Sequence, residues 1–455
     1  MNQTFSLARG VRRRDRRDAE FPAIRPCLTL LFLLLSFMAL CAAGCDNVGQ
    51  DGSDQSAVTP GVTSDKIRVG SSLALTGHAS FLGQQTLSGA TAYLDYINEQ
   101  GGVHGRKIEL VVYDDRYEPP LCLANTQKLI VKENIFSLFC YVGTPTTVKI
   151  IPLVKKARIP LLGMFTGAKA LREPFNPYLI NVRASYHEEV DAAVSRLVED
   201  LGCKRIAVFY QYDAYGLDGL RGAEISLLKY GLDPVAKGSY IRGTLDIEQA
   251  LARIMAAKPE AVVMVGTYMP CAKFIRMAKN IQPDLIFYNV SFVGAEELVR
   301  ILGDKGERII VSQVVPPPEL PQTQDLFPLA REFLEQYAQD HPDQPISSVS
   351  LEGYLNARVL VEALRRAGPD PTREGFIRAV QSIHEMPIGK DAVIRFGPHD
   401  HQGLDQVYFT EIREGKLRLL TDWKDLARRL GRAPAQTAQA AHPAKPGLAG
   451  KGMVP

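Results

Sequence analysis

The sequence predicts an α/β chain folded as two lobes, each on a parallel sheet, and three observations carry that prediction. From Lys66 onward a short apolar run, a loop of small residues and an amphipathic stretch recur in that order. Such alternation builds parallel sheets covered by helices on both faces. The apolar runs fall into two series of about five, which suits two sheets better than one. Finally, 455 residues with 46% hydrophobic and 23% charged side chains can bury more than one sizeable core.

The first series of strands is IRVGSSLAL (67–75), KIELVVY (107–113), IFSLFCYV (135–142), IPLLGMF (159–165) and PYLINV (177–182). Between the first two, TLSGATAYLDYINEQGG has apolar spacing near 3.6 and a Gly-Gly stop, so it reads as a helix. The second series is RIAVFYQ (205–211), DPVAKGSY (233–240), AVVMVG (261–266), LIFYNV (285–290) and RIIVSQVV (308–315). After PPPEL (316–320) come helices near 325–340, 347–367 and 372–381, then short strands near 392–396, 405–412 and 417–420. These late pieces are too few for a third domain and are expected to return to the earlier lobes. The expected division is a first lobe of 66–182 plus 316–390 and a second of 183–315 plus 391–428. Lobes linked by several crossings can close about a hinge.

Charge and cysteine content narrow the function classes. The formal charge of +3 comes from the first 44 residues, which hold seven Arg against three acids. The remainder has 46 Lys+Arg against 47 Asp+Glu and no basic block, so a nucleic-acid partner is not expected. No CxxC pair and no Cys/His cluster at zinc spacing occurs, so no metal site is expected, although His399, Asp400 and His401 taken alone could suggest one. RRRDRR (12–17) followed by LTLLFLLLSFMAL (28–40) reads as an export signal, too short to span a bilayer comfortably. Ala42-Ala43-Gly44-Cys45 resembles the lipobox of bacterial lipoproteins, with Ala42 where Leu is usual. The expectation is a signal peptide over 1–44, a lipid on Cys45 and a polar tether over 45–65 reaching roughly 25 Å. Residues 429–455, rich in Ala, Pro and Gly, are expected to be a disordered tail.

Ligands of open parallel sheets bind beyond the carboxyl ends of the strands, near helix N-termini. The loops there are TGHASFLG (76–83), GTPTT (143–147), FTGA (165–168), YDAYG (212–216), GTYMP (266–270) and SFVG (291–294). GTPTT lacks the Lys that a phosphate loop needs. It could cap a helix through Thr144 or Thr146, with Pro145 in the first turn, or hold an anion with hydroxyls and free amides. Both jobs can coexist.

The stretch LALTGHASFLGQQTLSGATAYLDYINEQGGVHGRKIELVVYDD resembles the opening of type I periplasmic binding proteins of the branched-chain amino-acid family. The matching positions include Thr76-Gly77, Gly83, Gly89-Ala90, Ile97-Asn98, Gly101-Gly102 and Tyr113-Asp114-Asp115. RIAVFYQYDAYGLDGLRGA (205–223) and HDHQGLDQVYFTEIREGKL (399–417) are similar to the same family, so the likeness runs from about 66 to 420. It implies two Rossmann-like lobes joined by about three crossovers, with a solute clamped between them. It also implies that Ser80, Leu82, Thr144, Thr146, Phe165, Thr166, Gly167, Tyr215, Tyr268 and Ser291 face the solute. Thr144 would hold a carboxylate with the 165–168 loop, and Cys122 and Cys140 could form a disulfide, as relatives sometimes bridge this region.

SFVG departs from the family, which places a carboxylate near Ser291 to pair with the ligand ammonium; the next acids here are Glu296 and Glu297. Either another acid such as Asp213 compensates, or the solute has no α-amino group. No GxSxG, HExxH or Walker motif is present, so an enzyme is not expected, nor a cofactor. The expectation is a monomeric, lipid-anchored solute-binding protein in the cell envelope, on the inner membrane. It would capture a small apolar carboxylate- or amide-bearing solute for an ABC permease. The alternative is a ligand-sensing lipoprotein that signals to a membrane receptor.

Overall fold

The computed structural model describes residues 59–340, 343–390 and 392–432. The expected signal segment, Cys45, most of the tether and most of the tail lie outside them. Among the described residues, fourteen strands and thirteen α-helices are formed, in two large sheets and one small hairpin. Among the described residues, no helix is long and apolar enough to cross a membrane.

In the first lobe the chain runs β1 (Lys66–Leu73), α1 (Ser80–Glu99), β2 (Lys107–Asp114), α2 (Pro119–Val131), β3 (Ser137–Phe139), α3 (Thr144–Ala157), β4 (Leu161–Leu162) and β5 (Leu179–Ile180). The sheet is parallel throughout, in the order β2-β1-β3-β4-β5. The third, fourth and fifth strands are much shorter than their apolar runs. Of the surplus residues, Val142 and Phe165 still pair with each other in an isolated parallel bridge beyond the strands, and with Tyr141 they are buried.

The second lobe contains α4 (Tyr186–Glu199), β6 (Ile206–Gln211), α5 (Ala214–Leu228), β7 (Lys237–Tyr240), α6 (Glu248–Ala256), β8 (Ala261–Val265), α7 (Tyr268–Ile281), β9 (Ile286–Asn289), α8 (Ala295–Leu302) and β10 (Ile309–Gln313). The chain continues with α9 (Pro321–Leu326), α10 (Pro328–Asp340), α11 (Ser348–Ala367), α12 (Arg373–Gln381), the β11 (Met386–Pro387) and β12 (Val393–Ile394) hairpin, β13 (Tyr408–Arg413), β14 (Lys416–Leu419) and α13 (Trp423–Arg429). The second sheet has the order β14-β13-β10-β9-β8-β6-β7. It is parallel except where β13 and β14 return antiparallel at one edge. Every residue of β8, AVVMV, is buried, as expected for a central strand covered on both faces.

Long α11 returns to the first lobe and packs along α1, with Tyr354, Leu360 and Phe376 joining Phe136, Phe139 and Leu162 in one core. The segment around β12 joins the same core through Ala392, Ile394, Phe396 and Leu404. The expected boundary at residue 391 is therefore too early, because these side chains have their apolar partners in the first lobe. The tail also begins later than 429, since α13 ends there and Arg432 still pairs with Glu260 at 2.8 Å. The lobes are joined by three crossings: after β5, after β10 and before β13. The first and third run side by side, where Asn181 N–H donates to the His401 carbonyl and Gly403 N–H to the Asn181 carbonyl.

Candidate functional site

The loops singled out in the sequence converge between the lobes. On the first lobe, Phe165 N–H donates to the Tyr141 carbonyl at 2.7 Å and Gly143 N–H to the Phe165 carbonyl at 3.2 Å. These bonds hold GTPTT and FTGA side by side, so that Thr144 Oγ1 lies 2.7 Å from Thr166 Oγ1. Gly143 makes the approach possible. It has φ 98°, and a Cβ there would lie 1.9 Å from the Tyr117 ring. Gly167 is equally constrained, because a Cβ would meet the Tyr186 amide nitrogen at 2.6 Å.

The expected threonine cap of α3 does not form. Gly143 is the N-cap and makes no side-chain cap bond. The Thr146 hydroxyl donates backwards to the Val142 and Gly143 carbonyls, and Thr147 donates to Gly143. Thr146 is thus occupied within its own turn, while Thr144 is the hydroxyl presented beside Thr166.

On the second lobe, Asp213 caps α5 by accepting from the Tyr215 and Gly216 amides, which fixes Tyr215 in the first turn. Tyr268 opens α7, and its ring meets Phe81 edge-on at 6.2 Å across the lobes. Burial raises the Tyr268 phenol pKa, while hydrogen bonds with the Phe81 backbone and the Ser80 side chain oppose the rise. Leu82 packs against Gly294 of the second lobe. Ser80, Leu82, Thr144, Phe165, Thr166, Gly167, Tyr215, Tyr268 and Ser291 therefore all sit where the lobes meet.

Three aromatics at this junction escaped the sequence reading: Tyr117, Tyr186 and Phe292. The Phe292 ring centroid lies 4.8 Å from Tyr215, 5.5 Å from Phe165, 5.9 Å from Tyr117 and 6.4 Å from Tyr186. All five side chains are exposed by 1% or less, so the closed cleft is filled by rings. A hollow lined partly by Phe165, Ser291 and Glu352 measures about 10 Å³, room for one water at most. Tyr186 had a local signal: SYHE (185–188) is a capping box, and the structure forms it with Ser185 and Glu188. Tyr117 and Phe292 had none, since only the meeting of two loops gives them their neighbours.

Ser291 also lies beside charge that the sequence reading did not assign to it. Arg183, 1% exposed, donates to Ser291 Oγ and pairs with Glu189 at 3.1 Å. Ser291 donates its amide and hydroxyl to Glu189, at 2.8 and 2.9 Å, and Ser312 adds a bond of 2.5 Å. Glu352, from α11, stands 3.5 Å from the other face of the guanidinium. Two buried carboxylates thus flank one cation, and the expectation that no acid stands near Ser291 is corrected. The acids come from α4 and α11, far along the chain in both directions, so reading the local stretch could not find them. Asp213, the acid proposed to compensate, is instead engaged by its helix cap and by Arg242 at 3.5 Å.

Glu189 is fully bonded, whereas Glu352 Oε1 has no hydrogen-bond partner among the described residues. Burial drives the Glu352 pKa up to about 7; Arg183 opposes the rise and Glu189 adds to it. Other contacts tie the lobes together. Arg242 pairs with Glu118 at 3.0 Å, and Glu296 of α8 accepts from the amide and hydroxyl of Ser348 at the start of α11.

The expected Cys122–Cys140 disulfide is absent: both are free, buried thiols. Cys122 lies in the core that runs between the lobes and Cys140 in the core under α11, so they serve different packing layers. Burial raises the pKa of each thiol, which leaves both protonated and unreactive.

Comparison with known proteins agrees with this geometry. The family model described as periplasmic binding protein matches residues 66–416. The Leu/Ile/Val-binding protein homolog 7 of Brucella abortus is 24% identical over 369 residues, 77% of this chain and 90% of its own. A solved structure described as a possible leucine/isoleucine/valine-binding protein from Rhodopirellula baltica is 34% identical. It covers 80% of this chain and 98% of its own, with a TM-score of 0.74. A leucine binding protein from Thermotoga maritima, 20% identical, shares the fold over 78% of this chain and 99% of its own, with a TM-score of 0.69. The chain belongs to the periplasmic binding protein family, a family of solute binders and not of enzymes.

Proposed function

We propose that this protein is the solute-capturing component of an ABC importer, tethered by a lipid on Cys45 and acting as a monomer in the periplasm, on the inner membrane. It closes about the crossovers on a small apolar solute that bears a carboxylate or amide, then presents it to the permease. The observation that carries the reading is the Thr144–Thr166 hydroxyl pair at the start of α3, walled by buried rings from both lobes. A helix N-terminus offers free amides and positive potential to an anionic end, and aromatic walls suit an apolar body. Relatives named for leucine, isoleucine and valine support a solute of that size. Glu189 is taken up by Arg183, Ser291 and Ser312, so of the two acids only Glu352, whose Oε1 has no hydrogen-bond partner among the described residues, is left to meet an amine on the solute.

A thermal-shift screen with branched-chain and aromatic amino acids, aromatic acids, amides and short fatty acids tests the reading. A solute present at a hundred times its Kd should stabilise the fold by about 2.7 kcal/mol. If only solutes lacking both carboxylate and amide raised Tm, the proposal would fail. Mass spectrometry of the mature N-terminus should find a diacylated Cys45; an unmodified residue from elsewhere in the chain would remove the anchor.

A further inference from the structure

The turn that carries Ser291 also carries Phe292. It stands on a three-residue 3-10 turn, Ser291–Val293, in the second lobe. It belongs to the core that runs between the lobes, and from the second lobe its ring reaches the first lobe's Phe165 and Tyr117 as well as Tyr215. The surrounding centroids, 4.8 to 6.4 Å away and tilted by 36° to 81°, lie in the range aromatic pairs prefer. They form a box already shaped to a phenyl ring, with the Thr144–Thr166 hydroxyl pair on the Phe165 loop.

We infer that Phe292 is a built-in occupant of the solute position, and that the solute it gives way to carries a phenyl-sized aromatic ring as well as its carboxylate. The inference rests on the reading of this cleft as the solute site and names the solute class. Because Phe292 rides on the second lobe, opening withdraws it from Tyr117 and Phe165. Reclosure around a solute then requires the ring to turn aside, and the solute ring takes its four contacts. The plug thereby competes with the solute: whatever fraction of closed protein holds Phe292 inside is unavailable for binding, and apparent affinity falls by that fraction. It also selects, because a branched aliphatic group recovers fewer of the ring contacts that Phe292 surrenders.

The test compares the full chain with its Phe292→Ala and Phe292→Leu variants. Calorimetric affinities would be measured for benzene, phenylacetate and 4-methylpentanoate. Removing the plug should tighten benzene and phenylacetate by about tenfold or more in Phe292→Ala, and by less in Phe292→Leu. The gain for 4-methylpentanoate should be similar, because the plugged fraction is lost to every solute, while phenylacetate should bind more tightly than 4-methylpentanoate in all three chains. Unchanged affinities in both variants, or 4-methylpentanoate bound as tightly as phenylacetate, would overturn the inference. Should Phe292→Ala fail to fold, Phe292→Leu, which keeps most of the volume, decides the same question. Benzene carries no carboxylate and so separates this inference from the reading it rests on. Benzene binding to the parent chain, where it must displace Phe292, without binding of any acid would keep the ring box and sink the carboxylate site. Tight 4-methylpentanoate binding with no plug effect would do the reverse.

Discussion

Thr144 and Thr146 stand two positions apart in the same loop, yet their hydroxyls face different tasks. Thr146 satisfies carbonyls at the start of α3, whereas Thr144 meets Thr166 between the lobes. Thr144→Val should weaken the solute by about tenfold, the loss of one hydrogen bond to a charged group, with a small change in stability. Thr146→Val should instead cost about 1 kcal/mol of stability and leave affinity nearly intact. Titration of a confirmed solute and a urea melt of each variant separate the two roles, and equal affinity losses would contradict the assignment. These two threonines look alike in the chain; they differ in their partners, the Val142 and Gly143 carbonyls for Thr146 and the Thr166 hydroxyl of the neighbouring loop for Thr144.

At the scale of elements, α11 belongs to the first lobe by packing but is capped partly from the second. Ser347 forms a capping box with Ser350, and Glu296 of α8 adds a carboxylate at the same helix start. Acids are favourable beside a helix N-terminus, and this one crosses the cleft to get there. Glu296 is half-buried, and desolvation of its carboxyl raises its pKa, so the contact is made at a cost that opening of the lobes would relieve. Glu296→Ala should therefore shift the protein towards its open form, seen as a larger radius of gyration by small-angle scattering, while the α11 start keeps its Ser347 cap. A radius unchanged from the parent would mean that this contact does not hold the lobes. Neither the 295–302 helix nor the 348–367 helix shows this pairing in its own residues. The helix near 347–367 was expected from the sequence, but its meeting with the 295–302 helix was not legible there.

For the whole molecule, the Arg183 network joins the first crossing to both lobes, and its charge balance makes stability depend on pH. Glu352 titrates near 7 in the folded protein against an ordinary 4.5. Between those values the folded chain holds a proton that the unfolded chain has lost. Stability from this group is thus fully present below about 4.5 and declines as pH rises through about 7. The change is at most on the order of 3 kcal/mol. Urea midpoints from pH 5 to 8 should fall in the parent and flatten in Glu352→Gln; parallel slopes would show that another group governs the window. Removing the cation is worse than neutralising one acid. Arg183→Met leaves two carboxylates buried together and should cost about 3 to 5 kcal/mol.

The alternation of strands and helices, the parallel sheets and the two-lobe plan could be read from the residues alone, because short apolar runs and apolar spacing near 3.6 are local patterns. The sequence also placed the loops at the strand ends, since Gly, Pro and Thr clusters mark them, and those loops carry Thr144, Phe165, Thr166, Tyr215, Tyr268 and Ser291, which sit where the lobes meet. Only the tertiary structure decided what fills and charges the meeting place. Arg183, Glu189 and Glu352 lie on a crossing and on two helices of different lobes, and Phe292 gains its neighbours only when those lobes close. Long-range charge balance and ring packing have no period to read, so the position near Ser291 looked empty of acid until the fold brought two acids to it.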